Sequence, residues 1–229
     1  GVFSMDGDQA PLNQISNLIN QYDSWLAVDD AHGIGVLGDK GAGSCNASQI
    51  TPDILVVTFG KAFGLSGAAI LCSSEVGDYL TQFARHHVYS TAMPPSQAMA
   101  LSHACHMIQT QEWRREKLME LSALYAEQMS GTKGFIDTQT PIKPFVIGDA
   151  QVALSIAEVL KRNQVWVTAI RPPTVPTGTA RLRITLTANH SQKQVLQLTD
   201  SLLQAIDRSD NVGSELSIES SVELKKEAQ

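Results

Sequence analysis

The chain has 229 residues, of which 43% are hydrophobic, and its formal net charge is −6 at pH 7. This length and apolar content allow a large core in one or two domains. The acidic balance and the lack of a basic cluster argue against nucleic acid and anionic membranes as partners, and no apolar run is long enough to cross a bilayer.

The chain opens on an apolar strand end, GVFSMDGD, that runs directly into a polar loop without an initiator methionine. A helix is predicted next, because Asp8 and Pro11 suit a helix cap and a first turn. Apolar side chains then recur at helical spacing at positions 12, 15, 18, 19 and 22.

Two apolar runs further on each lead into a charged residue. Residues 25–28 form a strand pattern that ends at Asp29, and residues 54–59 form another that leads to Lys61, with a third run at 67–72 behind it. A carboxylate at the carboxyl end of a strand lies where open α/β sheets bind ligands. Burial of a lysine between apolar strands lowers its pKa and favours a nucleophilic amine; the alternative is an exposed lysine beside a tight turn.

The pair of strand ends predicts a site for pyridoxal phosphate (PLP). This cofactor needs a lysine to hold its aldehyde and a carboxylate to keep its pyridine nitrogen protonated, and these roles fit Lys61 and Asp29. His32, just beyond the acid, can donate to the 3-oxygen of the ring or bind a substrate group.

The motifs VDDAHGIGVLG at residues 28–38 and TFGK at residues 58–61 resemble the α-oxoamine synthases, which are PLP enzymes of the aspartate aminotransferase fold. The resemblance extends from residue 1 to about residue 208. It implies an α/β chain that is the C-terminal portion of a longer enzyme. Residues 1–130 are expected to form the second part of the PLP-binding large domain, with a mostly parallel sheet, and residues 131–209 a smaller α+β C-terminal domain.

The glycines at 33, 35, 38, 41 and 43 follow a strand with no clear helix after them, so we interpret them as a loop with tight turns. A helix is predicted over residues 75–85. The adjacent His86 and His87 do not share a helix face and have no ligand partner at suitable spacing, which argues against a metal site. Cys45, Cys72 and Cys105 are odd in number and widely spaced, so we expect reduced thiols in a cytoplasmic protein, with Cys72 in a core strand.

The YSTAMPP segment at residues 89–95 resembles the family segment whose hydroxyl groups reach the cofactor phosphate of the partner subunit. The resemblance assigns this role to Ser90 and Thr91 and implies a homodimer with shared active sites. It also places Thr58 and Ser4 among the cofactor-binding residues. On residue type alone, Ser90 and Thr91 also fit a hydroxyl-rich cap before a helix, and Ser4 a turn.

Helical patterning continues over residues 96–129 with a break near 109–111, and a glycine-rich turn at 131–134 leads into the smaller domain. Strand patterns at 144–147, 165–170 and 181–186 alternate there with helices, one capped by Asp149 and one over 195–206. The Ser/Glu/Lys-rich residues 210–229 are interpreted as a disordered tail, with a short amphipathic helix as the alternative.

Two features of the smaller domain are assigned to substrates. Alternation in 181–186 puts aliphatic side chains on one strand face and Arg181 and Arg183 on the other. A guanidinium is a bidentate clamp for a carboxylate. The resemblance assigns this role to Arg183, and Arg181 is expected to be a solvated or interdomain residue. The resemblance also assigns substrate contact to Thr177, in the proline-rich loop 171–178.

The resemblance implies a decarboxylative condensation of L-alanine with a pimeloyl thioester, carried on coenzyme A or on acyl carrier protein, in biotin synthesis. Lys61, Asp29 and His32 are the implied catalytic residues. A glycine acetyltransferase or a 5-aminolevulinate synthase would share every cofactor residue, and a catalytically dead subunit would lack Lys61. The chain by itself is expected to be an inactive fragment, because half of the cofactor pocket would be absent.

Overall fold

The computed structural model describes the backbone of residues 1–226 and the side chains of residues 1–209. The chain divides into two compact units, Gly1–Lys117 and Leu118–Gln229. The division falls inside a helix, Trp113–Met129, whereas the predicted boundary lies at residue 130. Buried side chains from the second half of that helix join the core of the second unit; these are Leu121, Tyr125 and Met129.

The first unit places helices around a mixed sheet. Its elements are α1 (Leu12–Gln21), β1 (Ala27–Asp29), α2 (Ser44–Ala47), β2 (Ile54–Thr58), β3 (Ala68–Cys72), α3 (Ser74–Phe83), α4 (Arg85–Val88) and α5 (Pro95–Thr110), followed by α6 (Trp113–Met129), which continues into the second unit.

Strand β2 is the centre of this sheet, with β1 parallel on one side and β3 antiparallel on the other. The predicted sheet was mostly parallel, and the described sheet of this unit contains one pairing of each kind. The antiparallel pair needs only the short loop 59–67, whereas the parallel pair needs the long crossover 30–53.

One face of the sheet packs against α1. Val28 and Leu55 are paired across β1 and β2. They lie in one apolar cluster with Leu12, Ile15 and Ile19 of the helix. Each well-buried aliphatic side chain contributes about 1.5–3 kcal/mol of favourable burial. The predicted helical spacing is therefore confirmed for these three residues of α1, whereas Leu18 is 55% exposed and Tyr22, after the helix, is 69% exposed.

The start of α1 corrects one prediction. The helix begins at Leu12 with Pro11 at the cap position, and no side chain caps it. Asp8 is not a cap, because it lies in an earlier turn in which its carbonyl accepts a hydrogen bond from the amide of Phe3 (2.8 Å).

Strand β1 begins two residues later than predicted, at Ala27. The amide of Leu26 donates to the carboxylate of Asp53 (2.7 Å) instead of to a strand. The side chain of Trp25 is 66% exposed. The apolar run therefore predicts a longer strand than the structure has: Leu26 meets β2 only through its carbonyl, which accepts from the amides of Asp53 and Ile54 at 2.9 and 3.1 Å.

The glycine-rich stretch forms tight turns, as predicted. Gly35, Gly38, Gly41 and Gly43 all have positive φ, between 74° and 94°. The sequence did not predict the short helical turns that accompany them, a 3-10 turn at Asp39–Gly41 and the helix α2.

Helix boundaries farther along agree with the patterning. The predicted break near 109–111 is confirmed, since α5 ends at Thr110 and α6 begins at Trp113. Helix α3 begins one residue before the prediction, and Ser73 caps it by accepting from the amide of Val76 (3.4 Å).

The second unit packs helices on an antiparallel sheet of order β4-β6-β5, which confirms the α+β prediction. Its elements after α6 are β4 (Ile142–Gly148), α7 (Ala150–Arg162), β5 (Thr168–Ile170), β6 (Ala180–Thr185) and α8 (Gln192–Lys226). The predicted cap is also confirmed, since Asp149 accepts from the amides of Gln151 and Val152 at 2.8 and 2.9 Å.

The core of this unit lies between α7, α8 and one face of the sheet. Leu182, Ile184 and Leu186 are at most 4% exposed, so the predicted alternation along β6 is correct. Strand β5 is shorter than predicted, because the amide of Val165 bonds to the carbonyl of Leu160 at the end of α7 (2.9 Å).

The surface exposes large aromatic side chains. All three tryptophans are exposed, Trp25 by 66%, Trp113 by 52% and Trp166 by 88%. In the part of the chain that the structure describes, no helix combines the length and apolar character needed to cross a membrane. Of the predicted tail, residues 210–229, the backbone up to Lys226 continues helix α8, which agrees with the helical alternative and not with the predicted disorder; the side chains of this segment lie outside those described.

Candidate active site

The carboxyl ends of β1 and β2 define the candidate site. The strands are parallel, so Asp29 and Thr58, the last residues of the two strands, lie at the same edge of the sheet. Asp29 is paired with Val56, and Thr58 follows on the same face because side chains alternate along a strand. This face is opposite to the one that packs against α1.

Asp29 is exposed and begins a turn. One of its carboxylate oxygens accepts a hydrogen bond from the amide of Ala31 (2.9 Å). His32 lies one residue further on and is half-buried. The two residues predicted to hold the ring nitrogen and the 3-oxygen thus belong to one tight turn after β1.

Lys61 lies on the loop that joins β2 to β3. The loop is closed by a hydrogen bond from the amide of Leu65 to the carbonyl of Phe59 (2.8 Å) and by one from the amide of Gly64 to the carbonyl of Lys61 (3.0 Å). The ammonium donates to the Thr58 hydroxyl over 3.5 Å, a long hydrogen bond.

The expectation that Lys61 is buried between strands is wrong for this chain. Its side chain is exposed, because it projects from the loop beyond the end of β2. Burial therefore does not make this amine nucleophilic here, and the case for it rests on its position beside Thr58 at the sheet edge.

A cleft of about 620 Å³ lies beside the lysine loop. It is lined by Gly60, Gly64, Leu65, Ser66, Pro94, Ser96 and Gln97. The Gln97 amide donates to the carbonyl of Ser66 (2.6 Å) and so ties the loop to the first turn of α5. The lysine loop and the segment that precedes α5 are therefore neighbours within the first unit.

The hydroxyl residues predicted to hold the phosphate lie in or near that segment. Ser90 follows α4, and its hydroxyl donates to the carbonyl of His86. Thr91 is exposed in the connection to α5. Ser4 is exposed in the turn that the amide of Gly7 closes on the carbonyl of Phe3 (2.9 Å). The structure therefore describes these three hydroxyls at the surface, and their roles remain predictions.

The predicted substrate residues belong to the second unit. Arg183 is half-buried on β6, on the face away from the core, and donates to the Thr185 hydroxyl (3.3 Å). Arg181, on the same face, donates to the carbonyl of Thr179 (3.0 Å). Thr177 is exposed in the loop between β5 and β6. A separate groove of about 260 Å³ in this unit is lined in part by Trp166 and His190, and includes neither Arg183 nor Thr177.

Asp30 is a buried acid that the sequence reading did not single out. It is 0% exposed, and its carboxylate accepts from the amide and the hydroxyl of Ser44 at 2.8 and 2.5 Å. Burial, and secondly the negative charge of Asp30, raise the pKa of the Cys45 thiol. The sequence signal for this buried acid was the Asp29-Asp30 doublet at a strand end. Because consecutive strand residues point to opposite faces, the two carboxylates cannot both lie on the exposed face.

The donor set at the sheet edge fits PLP. A primary amine that reaches solvent, a carboxylate and an imidazole lie on the two adjacent strand ends, at Lys61, Asp29 and His32. These are the groups needed to hold an aldehyde, a pyridinium nitrogen and a phenolic oxygen. Among the described residues, no group of three or more His, Cys, Asp or Glu side chains is arranged to hold a metal ion.

The fold and this edge define a class of protein. Residues 1–202 match the family model of aminotransferase class I and II. The match spans most of the chain, and the chain belongs to this family.

Individual relatives give a more specific comparison than the family model. The chain is 88% identical over all 229 residues to 8-amino-7-oxononanoate synthase from Vibrio atlanticus and covers 57% of that protein. The solved 8-amino-7-oxononanoate synthase from Francisella tularensis superposes with a TM-score of 0.80 at 28% identity, covering 91% of this chain and 62% of that one.

A second solved relative contains the cofactor. A serine palmitoyltransferase variant from S. paucimobilis with a bound PLP–myriocin aldimine superposes with a TM-score of 0.83 at 25% identity, covering 93% of this chain and 54% of that one. The chain therefore has the α/β fold of these enzymes and spans about half the length of the curated relatives that it matches.

Proposed function

We propose that the chain carries the catalytic lysine and the ring-binding carboxylate of a PLP-dependent enzyme. The proposed reaction condenses L-alanine with a pimeloyl thioester and releases the thiol and carbon dioxide, which gives 8-amino-7-oxononanoate for biotin synthesis. The parallel register of β1 and β2, which brings Asp29 and the start of the Lys61 loop to one sheet edge, is the observation that supports it. The choice of substrates is supported by the 88% identity to the Vibrio atlanticus relative.

The residues of the first unit have separate roles in this proposal. Lys61 would hold the cofactor aldehyde, and its amine would accept the proton from Cα of the amino acid. Asp29 keeps the ring nitrogen protonated, and His32 donates to the 3-oxygen. When bound, PLP withdraws electrons from Cα of the amino acid, and Asp29 supports this by its negative charge. Thr58 and Ser4 complete the cofactor-binding set.

The residues of the second unit bind substrate. Arg183 presents its guanidinium from the face of β6 that the core leaves uncovered, and it is the proposed clamp for the alanine carboxylate. Thr177, exposed in the loop before β6, is the proposed contact to the acyl substrate. Coenzyme A and acyl carrier protein are both proposed carriers of the acyl group.

A homodimer with shared sites completes the proposal. Ser90 and Thr91 are proposed to reach the cofactor phosphate of the partner subunit. The side chains around them are unusually apolar for a free surface, with Val88 49%, Tyr89 85% and Met93 38% exposed. A dimer mass in analytical ultracentrifugation of the full-length protein is expected, and a monomer at micromolar concentration would contradict it. A cytoplasmic location is supported by three free cysteines.

The test is an absorbance titration of the full-length protein with PLP, followed by L-alanine and then, in a separate sample, glycine. A visible band that depends on Lys61 and that changes with alanine is expected. Without a lysine-dependent band the cofactor proposal is overturned. A band that responds to glycine and not to alanine would instead favour a glycine acetyltransferase or a 5-aminolevulinate synthase.

A further inference from the structure

We propose that Asp30 is a positioning residue for the cofactor site. Its buried carboxylate, held by Ser44, fixes the turn that presents Asp29 and His32. The inference rests on the function proposed above, because it concerns the same sheet edge. The side chain of Asp30 is buried on the face opposite to Asp29 and is not proposed to touch the cofactor.

The carboxylate of Asp30 has both oxygens engaged. One accepts from the amide of Ser44 (2.8 Å) and the other from the Ser44 hydroxyl (2.5 Å), and the whole residue is 0% exposed. A buried carboxylate is costly unless hydrogen bonds satisfy it. Removing Ser44's hydrogen bonds therefore leaves a buried charge without partners, and removing the carboxylate leaves an empty space. In either case the turn after β1 must move.

The backbone of Asp30 joins the strand to the turn. Its amide donates to the carbonyl of Val56 (2.8 Å), which is the last ladder bond between β1 and β2 on this side. Its carbonyl accepts from the amides of Gly33 and Ile34 at 3.1 and 3.0 Å. One residue thus fixes the end of β1 and the first turn of the loop that contains His32.

Close packing leaves this carboxylate little freedom. A Cβ atom built on Gly33 would lie 2.2 Å from one oxygen of Asp30, and a Cβ built on Gly43 would lie 2.0 Å from the other. Both approaches are impossible for any residue except glycine. The glycines of the loop therefore hold the carboxylate from two sides, and Ser44 holds it from the end.

The catalytic residues are linked to this arrangement through Ala31. Its amide donates to the carboxylate of Asp29 (2.9 Å). A shift of the turn would therefore rotate the Asp29 carboxylate and displace His32 at the same time. Around metal sites, outer residues that orient the ligands commonly change affinity by about 10- to 100-fold when removed, and we expect an effect of the same order here.

A matched control exists at the other end of the same strands. The carboxylate of Asp53 accepts from the amide of Leu26 (2.7 Å), before β1 and β2 begin. Asp53→Ala removes the same chemical group from the same sheet, at the edge opposite to the proposed site. It is therefore expected to lower stability without a specific effect on cofactor binding.

The experiment measures the PLP dissociation constant and the thermal melting midpoint of the full-length protein and its variants. Wild-type binding with a Lys61-dependent visible band is established first, so that failure of the proposed function is recognised separately. Asp30→Ala is expected to weaken PLP binding by about 10- to 100-fold. Asp30→Asn keeps size and hydrogen bonding with a rotated Ser44 hydroxyl, and it is expected to stay within about threefold of wild type.

The comparison with Asp53→Ala decides the outcome. If both alanine variants lose melting temperature but only Asp30→Ala loses PLP affinity, positioning is supported. Equal PLP affinities for the two folded variants would overturn it. If Asp30→Ala does not fold, Ser44→Ala, which removes one hydroxyl, takes its place; an affinity equal to that of wild type would overturn the proposal and a loss of about 3- to 10-fold would support it.

Discussion

Asp29 and Val56 are direct partners in the parallel register of β1 and β2. This one pairing sets the side chain of Asp29 on the same face as Thr58, the residue that leads into the lysine loop. Residues far apart in the chain thereby lie at one edge of the sheet and on the face opposite to α1. Charged side chains at this edge can therefore bind the same ligand, and the predictions below test which of them have a role.

Replacing Lys61 by alanine in the full-length protein removes the amine that would hold PLP. Turnover is expected to fall by at least about a thousandfold, and the visible band of the bound cofactor to disappear, because no other group can replace the covalent carrier. Steady-state kinetics and absorbance measure both effects. Lys133→Ala is the control: it removes an exposed lysine of the second unit that has no proposed role, so turnover and the visible band are expected to change little. Near-normal turnover in Lys61→Ala would contradict the assignment.

Arg183→Gln is expected to weaken binding of the amino-acid substrate. A charge-assisted bond to a carboxylate contributes about 1.5–3 kcal/mol, so KM for L-alanine should rise by about 10- to 100-fold, with a smaller change in kcat. Arg181→Gln is the matched control, since Arg181 lies on the same face of β6 and donates to the carbonyl of Thr179. Equal increases in KM for the two variants would show that the effect is not specific to Arg183.

Lys143 makes the stability of the second unit depend on pH. Its side chain is 1% exposed and donates to the carbonyl of Thr138 (2.7 Å). Burial lowers its pKa below the ordinary value of 10.5, and the charge of Asp137 opposes that shift. The unfolded chain therefore binds more protons between the lowered pKa and 10.5, so the free energy of unfolding should rise with pH in this window.

Urea unfolding at a series of pH values measures this dependence for wild type and Lys143→Met. The variant has no titrating amine, so the rise toward pH 10.5 is expected to be smaller than in wild type. Parallel pH curves for the two proteins would contradict the prediction. Burial raises the pKa of Tyr125 above its ordinary value of 10.0, which lowers the free energy of unfolding only as the pH rises through that value and above it. Tyr125 is present in both proteins, so its effect does not distinguish them.

The cysteines should differ in reactivity. Cys45 is 4% exposed, and burial together with the charge of Asp30 raises the pKa of its thiol, whereas Cys105 is exposed. Since the thiolate is the reactive form, Cys105 should react with Ellman's reagent at least about tenfold faster than Cys45 near pH 8. Cys105→Ser should remove the fast phase. A fast phase that survives in Cys105→Ser but is lost in Cys45→Ser would contradict this.

Much of the fold follows from local patterns. The alternation along β6 was predicted correctly, and so was most of the helical spacing in α1, because each element buries one face and apolar residues mark it; Leu18, which has the same spacing, is exposed. The cap at Asp149 follows from a short acid before an apolar helix. The cap at Asp8 was read wrongly, because the turn back to Phe3 uses the backbone there and leaves no mark in the pattern.

The sequence predicted which residues belong to the candidate site better than it predicted how buried they are. Two charged residues after apolar runs indicated Asp29 and Lys61, and the register brings their strand ends together. The burial of Lys61 was not correct, since exposure depends on the path of a loop that has no periodicity. Asp30 and Ser44 were missed for a related reason: their contact joins residues across the glycine turns, and only the folded path of those turns makes them neighbours.

The exposed tryptophans also decide how this chain is best observed. Trp25, Trp113 and Trp166 already meet water in the folded chain, so their fluorescence should be centred at long wavelength and change little on denaturation. Circular dichroism in the amide region is therefore the better monitor of unfolding. A shift of the emission to shorter wavelength would instead report that another molecule, or more of the polypeptide, has covered an indole ring.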